Sequence, residues 1–143
     1  MLSNTCKYAI RAVIYLAINN SGKKLGIKKI ASDLDIPAPF LGKILQSLAK
    51  HRILSSTKGP NGGFGLGKDP QDILLMDIVD IIDGVDNFEK CAIGVRYCSE
   101  QENHCALHKQ YSKLREEMKN LFKYSKVSEM VEEIENNKAS LFI

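Results

Sequence analysis

Three cysteines and two histidines fall between Cys91 and His108, in a chain of 143 residues that has four cysteines in all. Cys91, Cys98 and Cys105 stand seven apart, which would align them on a continuous helix, but Gly94 and the polar run from Ser99 to Asn103 argue for a loop. A loop can gather three thiolates around one centre. Structural zinc usually takes thiols in pairs two to four residues apart, which is not this pattern. Iron–sulfur clusters tolerate wider gaps and accept His beside Cys. On spacing alone three readings stay open: an iron–sulfur cluster, favoured, then a zinc site, then a thiol or disulfide switch without metal. His108 follows Cys105 by three residues at the start of a helix, so it faces the same side and is the candidate fourth ligand. Cys6, on an early helix, reads first as a small buried hydrophobe and only second as a substitute ligand. His104 reads as a loop histidine in water.

The compartment bears on the choice. No apolar run approaches the roughly 18 to 20 residues of a membrane span, and the N-terminus lacks the layout of a signal peptide. A cytoplasmic location without membrane association is the expectation, and reducing conditions there favour metal or oxidant sensing over a structural disulfide.

The elements ahead of the cysteines have a different chemistry. Residues 1–68 carry 11 basic and 2 acidic side chains, a balance of +9, and residues 69–143 carry 9 and 15, a balance of −6. Such asymmetry implies a front that binds a polyanion and a solvated or oligomerising back. Residues 4–19 read as a largely buried helix. A short helix through Ile27, Ile30, Ala31 and Leu34 stops before Pro37. Pro39 then sits in the first turn of a helix whose Phe40, Leu41, Ile44, Leu45 and Leu48 form the inner stripe, leaving Gly42, Lys43, Gln46, Ser47 and Lys50 outward. Two short helices joined by about four residues, the second basic and amide-bearing outside, form a helix-turn-helix. The segments around Ile53–Lys58 and Phe64–Leu66, joined by Gly59-Pro-Asn-Gly-Gly63, predict a hairpin directly behind it: a wing with Lys58 at its tip. The candidate DNA-contacting residues are Lys28, Pro39, Lys43, Gln46, Ser47, Lys50, Lys58, Asn61 and Gly62.

One motif in this stretch misleads. Gly62-Gly-Phe-Gly-Leu-Gly67-Lys68 has the spacing of a phosphate-binding loop, but Asp69-Pro70 follows instead of a Ser or Thr and a helix N-terminus. No set of nucleophile, base and orienting group can be assembled either, so neither an enzyme nor a small-molecule substrate is expected.

Residues 73–83 predict another apolar helix, closed by Gly84. Beyond the cysteines, Leu107, Tyr111, Leu114, Met118 and Leu121 recur as a heptad seam, narrow enough to suit pairing with the same helix of a second copy. Val127–Ile134 reads as a last amphipathic helix, and the tail from Asn136 onward as frayed. The fold class is thus mostly α with a small β-hairpin wing: a winged helix-turn-helix domain over 1–84, a cysteine-rich loop over 85–108, a long dimerisation helix over 105–125, and a C-terminal helix and tail over 126–143.

Taken in order, Tyr8-Ala-Ile-Arg-Ala12, Ile36-Pro37, Phe40-Leu41, Lys43-Ile-Leu45, Lys58-Gly-Pro-Asn-Gly-Gly63-Phe64 and Cys105-Ala-Leu-His108 resemble the IscR, NsrR and RirA group of bacterial transcription regulators, the Rrf2 family, from about residue 2 to about 134. The resemblance implies a homodimer that binds double-stranded promoter DNA, acting as a repressor or an activator. In cluster-binding members the state of an iron–sulfur cluster sets DNA affinity. It implies Cys91, Cys98 and Cys105 as cluster cysteines with His108 matching the histidine ligand of the IscR type, a two-iron two-sulfur cluster favoured over a four-iron four-sulfur one, and iron–sulfur status, oxidants or nitric oxide as the signal. The chain departs from the pattern in four places. Its cysteine gaps are one residue longer; Lys7 replaces an acidic ligand of the NsrR type; Gly42 replaces a glutamate that filters DNA sequence; and Lys58 replaces the wing's usual arginine. The competing readings are a small iron–sulfur or zinc redox protein that docks an acidic partner, and a cluster-free DNA-binding member of the family.

Overall fold

A computed structural model of the chain describes residues 2–93 and 105–141. Helix α1 (Asn4–Ile18) is apolar on most faces and buries eight of its residues, so the other elements assemble around it. Ser3 caps it, its Oγ accepting from the Cys6 N–H at 3.0 Å. The Ser3 backbone N–H and hydroxyl in turn donate to the Asp83 carboxylate at 2.8 and 2.5 Å, which ties the start of α1 to the segment behind α4 (Leu75–Ile82).

Helices α2 (Ile27–Leu34) and α3 (Ala38–Lys50) pack on α1 through Ile30, Leu34, Leu41, Ile44, Leu45 and Leu48, all buried. Asp35 ends α2 in the left-handed region, at φ 54, which its short polar side chain tolerates. Pro37 then stops the helix and Pro39 starts the next, so the turn between them is set by proline chemistry.

Strands β1 (Leu54–Thr57) and β2 (Gly63–Leu66) pair antiparallel, with Leu54 opposite Leu66 and Thr57 opposite Gly63. A third strand residue comes from ahead of α2: Leu25 and Phe64 exchange both backbone hydrogen bonds, at 2.9 and 2.8 Å. Only glycine fits at 63, because a Cβ there would lie 2.2 Å from the Leu25 carbonyl oxygen. The wing is thus welded to the helix-turn-helix.

Helix α4 starts two residues later than the apolar run predicts. Ile73 and Leu74 are extended instead, and pair with the strand-like entry to α6 (Val127–Glu135): the Val127 N–H donates to Ile73 O at 2.9 Å and the Leu75 N–H to Ser125 O at 3.0 Å. Short 3-10 turns at Pro70–Asp72 and Val85–Glu89 flank α4. Helix α6 packs on α1, with Val127 fully buried, and the tail expected to fray brings Leu141 back into the same core. Each such buried leucine or valine contributes about 1.5–3 kcal/mol.

Helix α5 (His108–Tyr124) behaves differently, for it buries none of its residues. Met118 and Phe122 lean on a small second cluster of Cys6, Val79 and Phe88, with the Phe88 and Phe122 rings 5.7 Å apart. The predicted seam therefore divides. Leu107, Leu114 and Leu121, spaced by sevens, are 40, 54 and 61% exposed along one side. Among the described residues, no helix is long and apolar enough to cross a membrane. Six α-helices with a two-strand antiparallel hairpin, among the described residues, make a winged-helix fold.

Candidate functional site

Two chemically distinct regions emerge. The first is the outer face of α3 with the wing. Burial of Leu41, Ile44, Leu45 and Leu48 on one side of α3 forces Lys43, Gln46 and Lys50 into the open on the other, with Ser47 half-buried beside them. Pro39 is exposed in the first turn of α3 and Lys28 in the first turn of α2. Gly42 faces open space, since a Cβ there would have no neighbour within 4 Å. Lys58 and Asn61 are exposed on the wing. Gly62 plays a conformational part: its N–H closes the turn on Gly59 O at 2.9 Å, and a Cβ would sit 2.1 Å from Thr57 O.

Sequence reasoning passed over Lys24. Its Nζ donates to Thr57 Oγ1 at 2.6 Å, so the loop ahead of α2 grips the wing through this bond as well as through Leu25. A single lysine beside a single leucine carries no periodicity, and nothing in the sequence marks it. Between the start of α2 and the wing lies a notch of about 440 Å³, lined by Lys28, Thr57, Gly59, Pro60 and Gly62 among others.

One of the two acidic groups of the front half, Asp33, is engaged by its neighbours rather than left to oppose this basic face. Asp33 accepts from the Tyr15 hydroxyl at 2.5 Å and from Lys29 Nζ at 2.9 Å, and these two donors hold its carboxyl below the usual range. Burial, and then Asp33, push the Tyr15 hydroxyl up to about 12.

The second region is sulfur. Cys91 follows the 3-10 turn Val85–Glu89, which Phe88 anchors in the second core cluster. Cys105 precedes α5, its carbonyl accepting from the His108 N–H at 3.0 Å. These two ends bring Cys91 Sγ within 3.3 Å of Cys105 Sγ, though 14 residues separate them in sequence. Both thiols are half-buried and neither is in a disulfide. His108, also half-buried, opens α5 one turn beyond Cys105. Cys98 and His104 lie outside the described residues. Among the described residues, no three His, Cys, Asp or Glu side chains converge as a metal-binding group.

Cys6 does not join this pair. It is fully buried with Val79 and Phe88, and burial, then the charge of Asp83, pushes its thiol up to about 12. A thiol so held stays protonated in the metal-free protein at neutral pH.

The chain matches the model of the Rrf2 family, described as iron-dependent transcriptional regulators, over residues 2–133. It is 33% identical over 132 residues to an HTH-type transcriptional regulator of Aquifex aeolicus, covering 92% of this chain and 91% of that one. To the HTH-type transcriptional regulator NsrR of Bacillus licheniformis it is 32% identical over 106 residues, 74% of this chain and 70% of the other. Its fold is similar to that of CymR, the global cysteine regulator of B. subtilis, with a TM-score of 0.75 at 19% identity over 92% of this chain and 96% of that one.

Proposed function

Starting from a chain that belongs to the Rrf2 family of transcriptional regulators, we propose that it acts in the cytoplasm as a homodimer on double-stranded promoter DNA, with an iron–sulfur cluster on Cys91, Cys98, Cys105 and His108 governing its grip. Its relatives are transcriptional regulators and not enzymes. In this reading Lys43, Gln46, Ser47 and Lys50 of α3, with Pro39 at its start, face the major groove, while Lys28 and the wing residues Lys58, Asn61 and Gly62 lie along the backbone. Gln46 offers the amide pairing for an adenine edge, and the lysines supply phosphate contacts that set register and make affinity fall with salt. The notch between α2 and the wing, with Lys28 and the wing glycines in its lining, would take the sugar–phosphate strand.

The observation that carries the cluster is the 3.3 Å separation of the Cys91 and Cys105 sulfurs, not joined in a disulfide though 14 residues apart in sequence, with an imidazole-bearing residue one turn along. Soft thiolates beside a histidine suit iron–sulfur binding, and the mixed donor set favours the two-iron two-sulfur form over the four-iron four-sulfur form. A cluster bound there supplies a group that iron shortage, oxidants or nitric oxide alters. The chain's own part is to hold the donors. Phe88 pins the segment before Cys91, and the first turn of α5 pins Cys105 and His108, so the spacing of the donors and the setting of α5 depend on each other.

Anaerobic purification tests the cluster. Brown protein with visible absorption, and iron matched by acid-labile sulfide, supports it; colourless protein carrying zinc overturns it. Retardation of a palindromic promoter fragment, but not of unrelated DNA at the same salt, tests the other half.

A further inference from the structure

We propose that in the metal-free protein Cys91 and Cys105 close an intramolecular disulfide on exposure to a hydroperoxide, clasping the segment that ends at Cys91 to the start of α5. The juxtaposition is the argument. The two sulfurs stand 3.3 Å apart, so a bond of about 2.05 Å requires an approach of only about 1.2 Å. Neither thiol is free to drift away. The residues just ahead of Cys91 are fixed to α5 twice, by the Phe88–Phe122 contact and by Glu89, whose carboxylate lies 2.6 Å from Lys119 Nζ. Cys105 is fixed to the same helix by the bond from the His108 N–H to its carbonyl. Both sulfurs thus ride on α5. Half-burial leaves them within reach of a small oxidant, whereas Cys6 is sealed in the core.

The chemistry balances without further components. One thiol attacks the peroxide oxygen, giving a sulfenic acid and releasing an alcohol, or water from hydrogen peroxide; the second thiol displaces water from that sulfenic sulfur. Two thiols are oxidised, one peroxide is reduced, and a dithiol reverses the bond by exchange. Resting on the function proposed above, the disulfide removes two of the four cluster donors and keeps the protein metal-free until it is reduced.

The test uses the full chain, freed of metal by chelation, treated with hydrogen peroxide and alkylated without reduction. Peptide mapping is expected to show Cys91 joined to Cys105 within one chain and Cys98 alkylated. Cys98→Ser should still form the bond and Cys91→Ser should not. Cross-links that use Cys98, cross-links between chains, or full alkylation of all thiols overturn the proposal. After oxidation, uptake of iron and sulfide should fall roughly tenfold and recover with dithiothreitol. A Cys91–Cys105 bond with undiminished uptake keeps the disulfide and overturns instead the assignment of these thiols to the cluster.

Discussion

The Lys119 ammonium lies 2.6 Å from the Glu89 carboxylate, joining the middle of α5 to the turn that delivers Cys91. The pair is partly exposed, at 34 and 40% for the two side chains, so solvent screens it and its worth is at most about 1 kcal/mol. Lys119 is the main cause that holds the Glu89 carboxyl below its usual range, and Glu89 the main cause that holds the Lys119 ammonium above its own. A depressed carboxylate contributes stability that is present above its unfolded value and lost as pH falls through its folded one. Glu89→Gln should therefore lower the unfolding midpoint slightly at pH 7, and the gap from wild type should close as pH drops below 4.5, the value of an unperturbed Glu. Chemical denaturation at pH 7 and pH 3 checks this, and an equal gap at both assigns the effect to packing.

The alkaline limb has a different origin. Cys6 and Tyr15 both have their folded values raised to about 12, from 9.0 and 10.0 respectively. A raised acid is bound to its proton in the fold and releases it on unfolding, so its contribution is complete below the unfolded value and declines as pH rises towards the folded one. Stability should therefore fall from about pH 9 upward, and Cys6→Ala should flatten the first part of that decline. The same variant should keep its iron and acid-labile sulfide if His108 is the fourth ligand, whereas His108→Ala should lose them. Cys6→Ser buries a hydroxyl among Val79 and Phe88 and should cost about 1–3 kcal/mol more than a matched apolar residue.

On the DNA side, the three basic and amide positions of α3 should separate by type. Lys43→Ala and Lys50→Ala should weaken binding to all sequences alike and lower the salt slope by about one each, while Gln46→Ala should cost about 1–3 kcal/mol at its own base and relax specificity there. Gly62→Ala forces a Cβ to within 2.1 Å of the Thr57 carbonyl, so the wing must distort. Its binding should fall without loss of helix content. Gly42→Ala meets no neighbour in the protein and should stabilise α3 by up to about 1 kcal/mol. If its DNA affinity nonetheless drops, the α3 backbone approaches the groove at that residue.

Much of this arrangement was legible in the residues themselves, and the exceptions share a cause. The stripe Leu41, Ile44, Leu45 and Leu48 repeats at helical spacing, so α3 and its outward lysines follow from periodicity. The glycines from 59 to 63 announce the wing turn because each carries a local conformational requirement. Leu25 opposite Phe64, and Leu74 opposite Lys126, are single-residue bridges between segments far apart in sequence. Such pairs have no period, and the late start of α4 and the grip of Lys24 on the wing went unseen with them. For the cysteines, spacing pointed to a loop, yet the meeting of Cys91 with Cys105 depends on Phe88 and the first turn of α5, contacts that no local pattern encodes.

The divided seam of α5 yields the last expectation. Met118 faces its own chain's second cluster, whereas Leu107, Leu114 and Leu121 share one exposed side at seven-residue spacing. Burying a leucine contributes about 1.5–3 kcal/mol, so two of them turned to lysine in each copy remove several kcal/mol from a paired assembly and add like charges across it. If the proposed homodimer pairs through this side, Leu114→Lys with Leu121→Lys should sediment as a monomer while the parent sediments as a dimer. Because both side chains are already more than half exposed, the circular dichroism of the single chain should be preserved. Affinity for a palindromic fragment should then fall towards that of a single half-site, since one chain can no longer place two α3 helices a helical turn of DNA apart. An unaltered sedimentation coefficient in the double variant would overturn pairing through this side of α5.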